Sequence, residues 1–275
     1  MKSTIASVQG IETLTYAPTI RNRIINAQWV GILAKLPVPT LVFLDPCGYK
    51  GLSLKLVASA LRGYGNDCIF FFNYSRINMK LDLEIMNRSI DEFFERDAAN
   101  ALRNEIQNRR AAEREGIIIT AVKSAITQAG AIPLVFRFRS DQGRISHHLV
   151  YASKESRAAN MMKSIMRSAS STISEGVGSG EHNPRDRSAP GLLFGGLYEV
   201  EERLLAVFAG REIRFDGLLR EEAQTKYTEG NYRDALLNLE RDGKITVVPP
   251  AEDRRFLAGR KKRSLPKTVE ISFRS

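Results

Sequence analysis

The stretch Leu41-Val-Phe-Leu-Asp-Pro-Cys-Gly-Tyr49 decides how the first half of this chain is interpreted. Four apolar residues end in Asp45-Pro46, which predicts a buried strand whose carboxyl end presents a carboxylate and a rigid turn. The leucines and valine of residues 52–61 then predict a helix. Because open α/β sheets carry their chemistry beyond the carboxyl ends of their strands, this order predicts an α/β enzyme-like domain.

The residues that follow extend this α/β pattern. Residues 68–74, Cys-Ile-Phe-Phe-Phe-Asn-Tyr, predict a second strand, buried on both faces as central parallel strands are. Further strands at 133–138 and 148–153 flank a short turn at 141–144, which predicts an antiparallel pair. Helices are predicted at 18–36, 51–62, 82–94, 98–108, 111–129 and 156–167. The fold class is therefore α/β, with a mostly parallel, partial Rossmann-like (methyltransferase-like) sheet.

Two strand ends supply the candidate catalytic residues, which are Asp45, Pro46, Gly48, Tyr49, Asn73 and Arg76. An acidic residue, a proline and an aromatic are the types with which amino-group methyltransferases hold a substrate amine and stack on an extruded base. Asn73 and Arg76 are suited to orienting a substrate or binding an anion. The structural alternative is a capped turn, in which Asp45 caps the next helix and Tyr49 packs. Both interpretations stay open at this point.

Charge and composition divide the chain and favour a polyanionic partner. The chain has a net charge of +10, and residues 250–275 carry half of that excess. Residues 168–195 are rich in Ser, Gly and Pro, which predicts a linker between an α/β domain (1–167) and a separate domain (196–275). The chain has no apolar run of about 18 residues and no secretory h-region, so we expect a cytoplasmic protein without a membrane partner.

The last 80 residues predict a winged helix-turn-helix domain. Helices are expected at 198–208, 215–224 and 228–240, with Thr228 or Asn231 as the cap of the third, followed by strands at 245–248 and 268–273. In that fold the third helix enters the major groove and the wing contacts the phosphate backbone. The predicted nucleic-acid-binding residues are Thr228, Asn231, Tyr232 and Arg233 on the helix, and Arg254, Arg255, Arg260, Lys261, Lys262, Arg263 and Lys267 in the wing. The alternative is a protein-interaction domain with a solvated basic wing.

Other polar residues receive simpler interpretations. The three histidines, His147, His148 and His182, are scattered and predict no metal site. Residues 113–115, Glu-Arg-Glu, are interpreted as a solvated helix face.

Residues 43–53 and 70–79 together resemble the prokaryotic three-Cys-motif partner proteins (TcmP), as do the later segments 146–154 and 161–166. The resemblance implies a methyltransferase-like domain, S-adenosylmethionine as cofactor where the full family pattern applies, and a radical-enzyme-like neighbour protein with a three-cysteine motif as partner. Family members begin with a strand and a glycine-rich loop, whereas Gly10 and Gly31 are isolated here. We therefore expect a domain without the first strands of the family: a fragment, a wrongly assigned start, or a version that has lost catalysis.

Two hypotheses from different classes follow. The first is a methyltransferase-like enzyme that acts on nucleic acid, although this chain alone is expected to be inactive. The second is a non-catalytic adaptor that binds nucleic acid through its winged helix.

Overall fold

The structure, a computed structural model, describes residues 8–16, 18–19, 28–35, 37–46, 52–75, 91, 93–107, 109–171, 173–174, 177–185, 196–256 and 264–274. These residues form an α/β unit and a smaller unit of three helices and a small sheet, each with its own hydrophobic core. Within these ranges no helix has the length and apolarity needed to cross a bilayer.

The α/β unit is built from the following elements. Its helices are α1 (Gln28–Leu33), α2 (Leu54–Ala60), α3 (Arg96–Ile106), α4 (Ala111–Gln128) and α5 (Ser156–Ala169), preceded by a 3-10 turn at Ile11–Thr13. Its strands are β1 (Leu41–Leu44), β2 (Asp67–Phe72), β3 (Ile132–Arg139), β4 (Ile145–Ser153), β5 (Ile173–Ser174), β6 (Val177–Gly178) and β7 (Glu181–His182). The predicted helix at 82–94 lies outside the described residues except at 91, 93 and 94, and so do residues 20–27 and 36 of the one predicted at 18–36.

The sheet is mixed rather than mostly parallel. Its strand order is β1-β2-β4-β3-β7, while β5 and β6 pair with each other. Strands β1 and β2 are parallel, as predicted, and β3 and β7 are also parallel. The predicted antiparallel pair is confirmed as β3 and β4, and β4 also pairs antiparallel with β2. The expectation of a mostly parallel sheet is therefore wrong, because β4 inserts between β2 and β3.

Strand β2 supplies the centre of the larger core. Its residues alternate, so that Cys68, Phe70 and Phe72 are fully buried on one face and the intervening residues are half-buried on the other. Helices α2, α3 and α4 contribute to the same core, and α5 covers the opposite face of the sheet. Helices therefore cover both faces of the sheet.

Strand β1 lies at the sheet edge, and its predicted burial is wrong. Leu44 is buried, but Leu41 and Phe43 are 61% and 58% exposed. The apolar run indicated a strand correctly, whereas its composition gave no information on whether a neighbour covers it.

Part of the Ser/Gly/Pro-rich segment pairs with the sheet. Strand β7 pairs with Arg137 and Phe138 of β3, and Gly180 accepts a hydrogen bond from the Arg137 N–H at 3.1 Å. Residues that composition assigns to a linker therefore extend the sheet by one short strand.

The second unit contains three helices and a three-stranded antiparallel sheet. Its elements are α6 (Leu197–Phe208), β8 (Glu212–Arg214), α7 (Phe215–Glu221), α8 (Glu229–Arg241), β9 (Ile245–Val248) and β10 (Glu270–Phe273), with a 3-10 turn at Ala251–Asp253. The strand order is β8-β10-β9. The three predicted helices and two predicted strands are present, and β8 is a strand that the sequence analysis missed.

Asn66 fixes the start of β1 against the end of α2. Its side chain is buried, donates to Ala60 O at 3.0 Å and accepts from Thr40 N–H at 2.9 Å. Because Asp45 follows the far end of β1, this amide helps to position one of the candidate catalytic residues.

We predict that Asn66→Ala lowers the free energy of unfolding by about 1–3 kcal/mol, because the half-buried Thr40 N–H and the buried Ala60 carbonyl both lose a partner. Urea unfolding of the full chain measures this. Asn100→Ala, on the exposed face of α3, is the matched control and should stay within about 0.5 kcal/mol of the parent. Equal effects of the two substitutions would contradict the assignment.

Candidate functional site

The start of α8 is held by a reciprocal cap. The Thr228 hydroxyl accepts from the Asn231 backbone N–H at 3.3 Å, and the Asn231 side-chain oxygen Oδ1 accepts from the Thr228 N–H at 2.9 Å. The predicted Thr228 cap is confirmed. Asn231 is buried, so its amide serves the helix start in this structure.

The next residue, Tyr232, lies in the core. It is 1% exposed, and its hydroxyl donates to Glu222 Oε2 at 2.8 Å. Arg203 on α6 donates to both oxygens of the same carboxylate, at 2.6 and 2.8 Å. Burial and the neighbouring Glu222 carboxylate raise the pKa of Tyr232. This network ties α6, the α7–α8 connection and α8 together.

Arg233 and Lys267 converge on one acid at the start of α8. Glu229 pairs with Arg233 at 2.7 Å and with Lys267 at 2.7 Å. Arg233 also donates to Leu265 O at 3.3 Å and lies over the Phe215 ring at 5.6 Å. Burial opposes ionisation of Glu229, but the hydrogen bonds from Lys267 and Arg233 outweigh it and lower its pKa.

The segment between β9 and β10 is the wing, and its base is anchored internally. Arg254 is buried and pairs with Glu240 of α8. Arg255 is exposed, and its carbonyl accepts from the Ser264 N–H at 2.7 Å. The two described ends of the wing are thus brought together, and Arg255 directs a cation to solvent there.

Several predicted site residues lie outside the described residues. They are the candidate catalytic residues Gly48, Tyr49 and Arg76, and Arg260, Lys261, Lys262 and Arg263 of the wing.

The carboxyl ends of β1 and β2 lie next to each other, at the same end of the sheet. Parallel pairing in the register Leu44 to Phe70 places Asp45 and Asn73 at the same end. Asp45 is exposed, Pro46 is half-buried, and the Asn73 side-chain oxygen Oδ1 accepts from the Ser75 hydroxyl at 3.0 Å.

A buried polar cluster lies at this same end of the sheet. Glu115 of α4 is bonded through Oε1 to His148 Nε2 at 2.9 Å and to Arg137 Nε at 2.7 Å. Arg137 also donates to Glu181 at 3.0 Å, and Tyr74 packs edge-on against the His148 ring. Burial opposes ionisation of Glu115, but the hydrogen bonds from His148 and Arg137 outweigh it and lower its pKa.

This cluster was not predicted from the sequence. The prediction that Glu115 lies on a solvated helix face is wrong, since Glu115 is 7% exposed. A periodic signal existed, because Glu115 lies three, seven and eleven residues before the buried Ile118, Val122 and Ile126. His148 similarly alternates with buried Val150 and Ala152 on β4. Among the described residues no group of three or more His, Cys, Asp or Glu is placed to hold a metal.

The smaller unit belongs to a recognisable structural class. Three helices, a strand between the first two, and a β9–β10 hairpin packed on the third helix define a winged-helix domain. Residues 185–252 match the family model described as "GMT-like wHTH domain". Comparisons with curated proteins and with solved structures give no match to this chain.

We predict that Glu115→Ala lowers the free energy of unfolding by about 2–3 kcal/mol at neutral pH, because buried His148 loses its partner and Arg137 loses one of two. The pKa of Glu115 is lowered in the folded state, so its contribution is fully present above the ordinary carboxyl pKa and disappears as the pH falls through the folded value. The difference between parent and variant should therefore shrink in acid.

Urea unfolding at several pH values measures both effects. Glu105→Ala, which removes an exposed glutamate of α3, is the control and should show neither the loss nor its pH dependence. A Glu115→Ala penalty that stays constant down to pH 3 would contradict the role of the ionised carboxylate.

Proposed function

We propose that this chain is a nucleic-acid-binding adaptor, in which the wing makes the main contact and the α/β unit is a scaffold. The winged-helix geometry and the family match support it, and so does the location of the excess charge. Residues 250–275 contain eight Lys or Arg and three acidic residues, a net charge of +5, and most of the cations fall between β9 and β10. A cationic wing of this kind suits a phosphate backbone.

The single observation that carries the proposal is the contrast between the wing and the third helix. Helix α8 has three acidic and two basic residues, so it brings no net positive charge to a groove. Its Arg233 is engaged by Glu229 and Leu265, whereas Arg255 of the wing is exposed. The main proposed contact is therefore between the wing and the phosphate backbone of the nucleic acid, and any contact of α8 with the bases is secondary. In this proposal Thr228 and Arg233 lie at the end of α8 that approaches the nucleic acid. Asn231, Tyr232 and Arg254 are buried and support the fold of the winged helix.

The finer assignment also belongs to this proposal. The resemblance of residues 43–53 and 70–79 to three-Cys-motif partner proteins supports an adaptor that serves a radical-enzyme-like neighbour. In that role the α/β unit would contact the neighbour and the winged helix would hold nucleic acid.

We predict that replacing Arg260, Lys261, Lys262 and Arg263 together by Ala weakens binding to a mixed-sequence DNA duplex and flattens its salt dependence. Each lost phosphate contact reduces the slope of log K against log salt by about 0.9. Fluorescence anisotropy between about 50 and 200 mM salt measures both quantities.

The matched control removes four exposed cations from the α/β unit, namely Lys35, Lys55, Arg62 and Lys154. It has the same net charge as the wing variant and should bind like the parent. Equal losses in the two variants would show that the attraction comes from the overall charge, and the wing assignment would then fail.

A second candidate is a methyltransferase-like enzyme, and one observation favours it: Asp45 and Asn73 end neighbouring parallel strands at one edge. The described residues do not fit S-adenosylmethionine, however. Gly10 caps a 3-10 turn and Gly31 lies inside α1, so neither forms a loop between a strand and a helix.

We predict that S-adenosylmethionine gives no saturable heat when titrated calorimetrically into the full chain, and that Asp45→Asn gives the same flat trace. Thermal unfolding provides an independent check, because its midpoint should not rise when the cofactor is added. A saturable isotherm that Asp45→Asn weakens would favour the enzyme over the adaptor.

A further inference from the structure

A small cationic cavity lies where the α/β unit meets the winged-helix unit. It has a volume of about 90 Å³. Its walls come from α4, α5 and β3 of one unit and from the α7–α8 connection of the other. Lys123, Lys163, Arg167, Val135, Gln224 and Lys226 are among the lining residues.

Lys163 is the most buried of these cations. It is 3% exposed, and its ammonium donates to Glu222 O at 3.1 Å. An ammonium has three donors, and within the described residues this is the one hydrogen bond that Lys163 makes. Burial lowers the pKa of Lys163 to about 8, an effect that the nearby Lys123 ammonium reinforces and the Glu222 carboxylate opposes.

Lys123 faces the cavity from α4 and is weakly held. Its ammonium approaches Gln224 O at 3.5 Å. No carboxylate of the described residues lies within 4 Å of either ammonium. Glu222 is occupied by Arg203, and Glu199 pairs with Lys226 at 3.2 Å. The two lysines therefore share a space in which no carboxylate of the described residues forms an ion pair with either ammonium.

The open edge of β3 adds a neutral donor to this space. Arg137 directs its N–H to Gly180 O on the β7 side. Alternate residues of a strand direct their N–H groups to the same side, so Val135 presents its own toward the cavity, before β7 begins.

We propose that this cavity binds a phosphate-class oxyanion between the Lys123 and Lys163 ammonium groups and the Val135 N–H. Buried charges in proteins are paired, and a bound anion supplies the missing pair. Charge-assisted hydrogen bonds favour an acceptor with several oxygens. The volume holds several waters or one tetrahedral oxyanion, and it is well below the roughly 300 Å³ of ordinary small-molecule pockets. The site is independent of nucleic-acid binding by the wing, and it would fasten the two units to each other.

Inorganic phosphate is the first probe, titrated into the full chain by calorimetry and by thermal unfolding against chloride at equal ionic strength. The parent should show saturable binding and a rise of the unfolding midpoint that chloride does not give. Lys163→Met should weaken phosphate binding at least tenfold, while Lys154→Met, which removes an exposed lysine before α5, should leave it unchanged.

Lys123→Met is the second variant and carries the test if Lys163→Met does not fold. Binding of adenosine monophosphate is compared with binding of inorganic phosphate, which distinguishes a site for the free anion from a site for a phosphoryl group of a larger ligand. Whichever of the two binds to the parent must lose its binding in the lysine variants. The proposal is overturned if phosphate acts no more strongly than chloride, or if the cavity variants bind it like the Lys154 control. Failure of DNA binding alone would leave it standing.

Discussion

The burial of alternate residues of β2 is the constraint on which the α/β unit depends. Phe70 and Phe72 are fully buried, and a shift of one residue would bring the half-buried face of β2 into the core. That register is shared with β1 on one side and β4 on the other. It brings His148 opposite Phe72, and hence sets the position of the Glu115 cluster. The packing of two phenylalanines thus determines which polar groups meet at this end of the sheet.

Sequence patterns predicted elements better than they predicted neighbours. The apolar run at 68–74 and the turn at 141–144 specify local geometry, and the predicted strand and antiparallel pair are both present. The predicted burial of β2 on both faces is wrong, because one of its faces is only half-buried. The order of strands depends instead on which surfaces bury each other across long separations, and nothing local marks β4 as the neighbour of β2. For the same reason the exposure of Leu41 and Phe43 could not be predicted from four apolar residues.

The candidate site shows the same division. Thr228 could be identified as a cap because the motif is local. Tyr232 could not be separated from a groove-facing residue, because its burial depends on Glu222, ten residues earlier, and on Arg203 of another helix. Glu115 stands beside other charged residues in the sequence, which favoured a solvated position, although its spacing from Ile118 and Val122 placed it on the apolar face of the helix. Periodicity was therefore the stronger signal, and residue type misled.

Acidic residues decide which cations of the winged helix are free to meet a polyanion. Glu229 holds Arg233 and Lys267, and Glu240 holds Arg254, so these pairs stiffen the start of α8 and the base of the wing. A contact with phosphate would have to compete with these ion pairs, at a cost that the exposed Arg255 does not carry. A simple count of Lys and Arg between residues 254 and 267 thus overstates the charge available for binding. In the proposed mode of binding, the contact surface is therefore smaller than the sequence indicates, and it is displaced from the helix toward the wing.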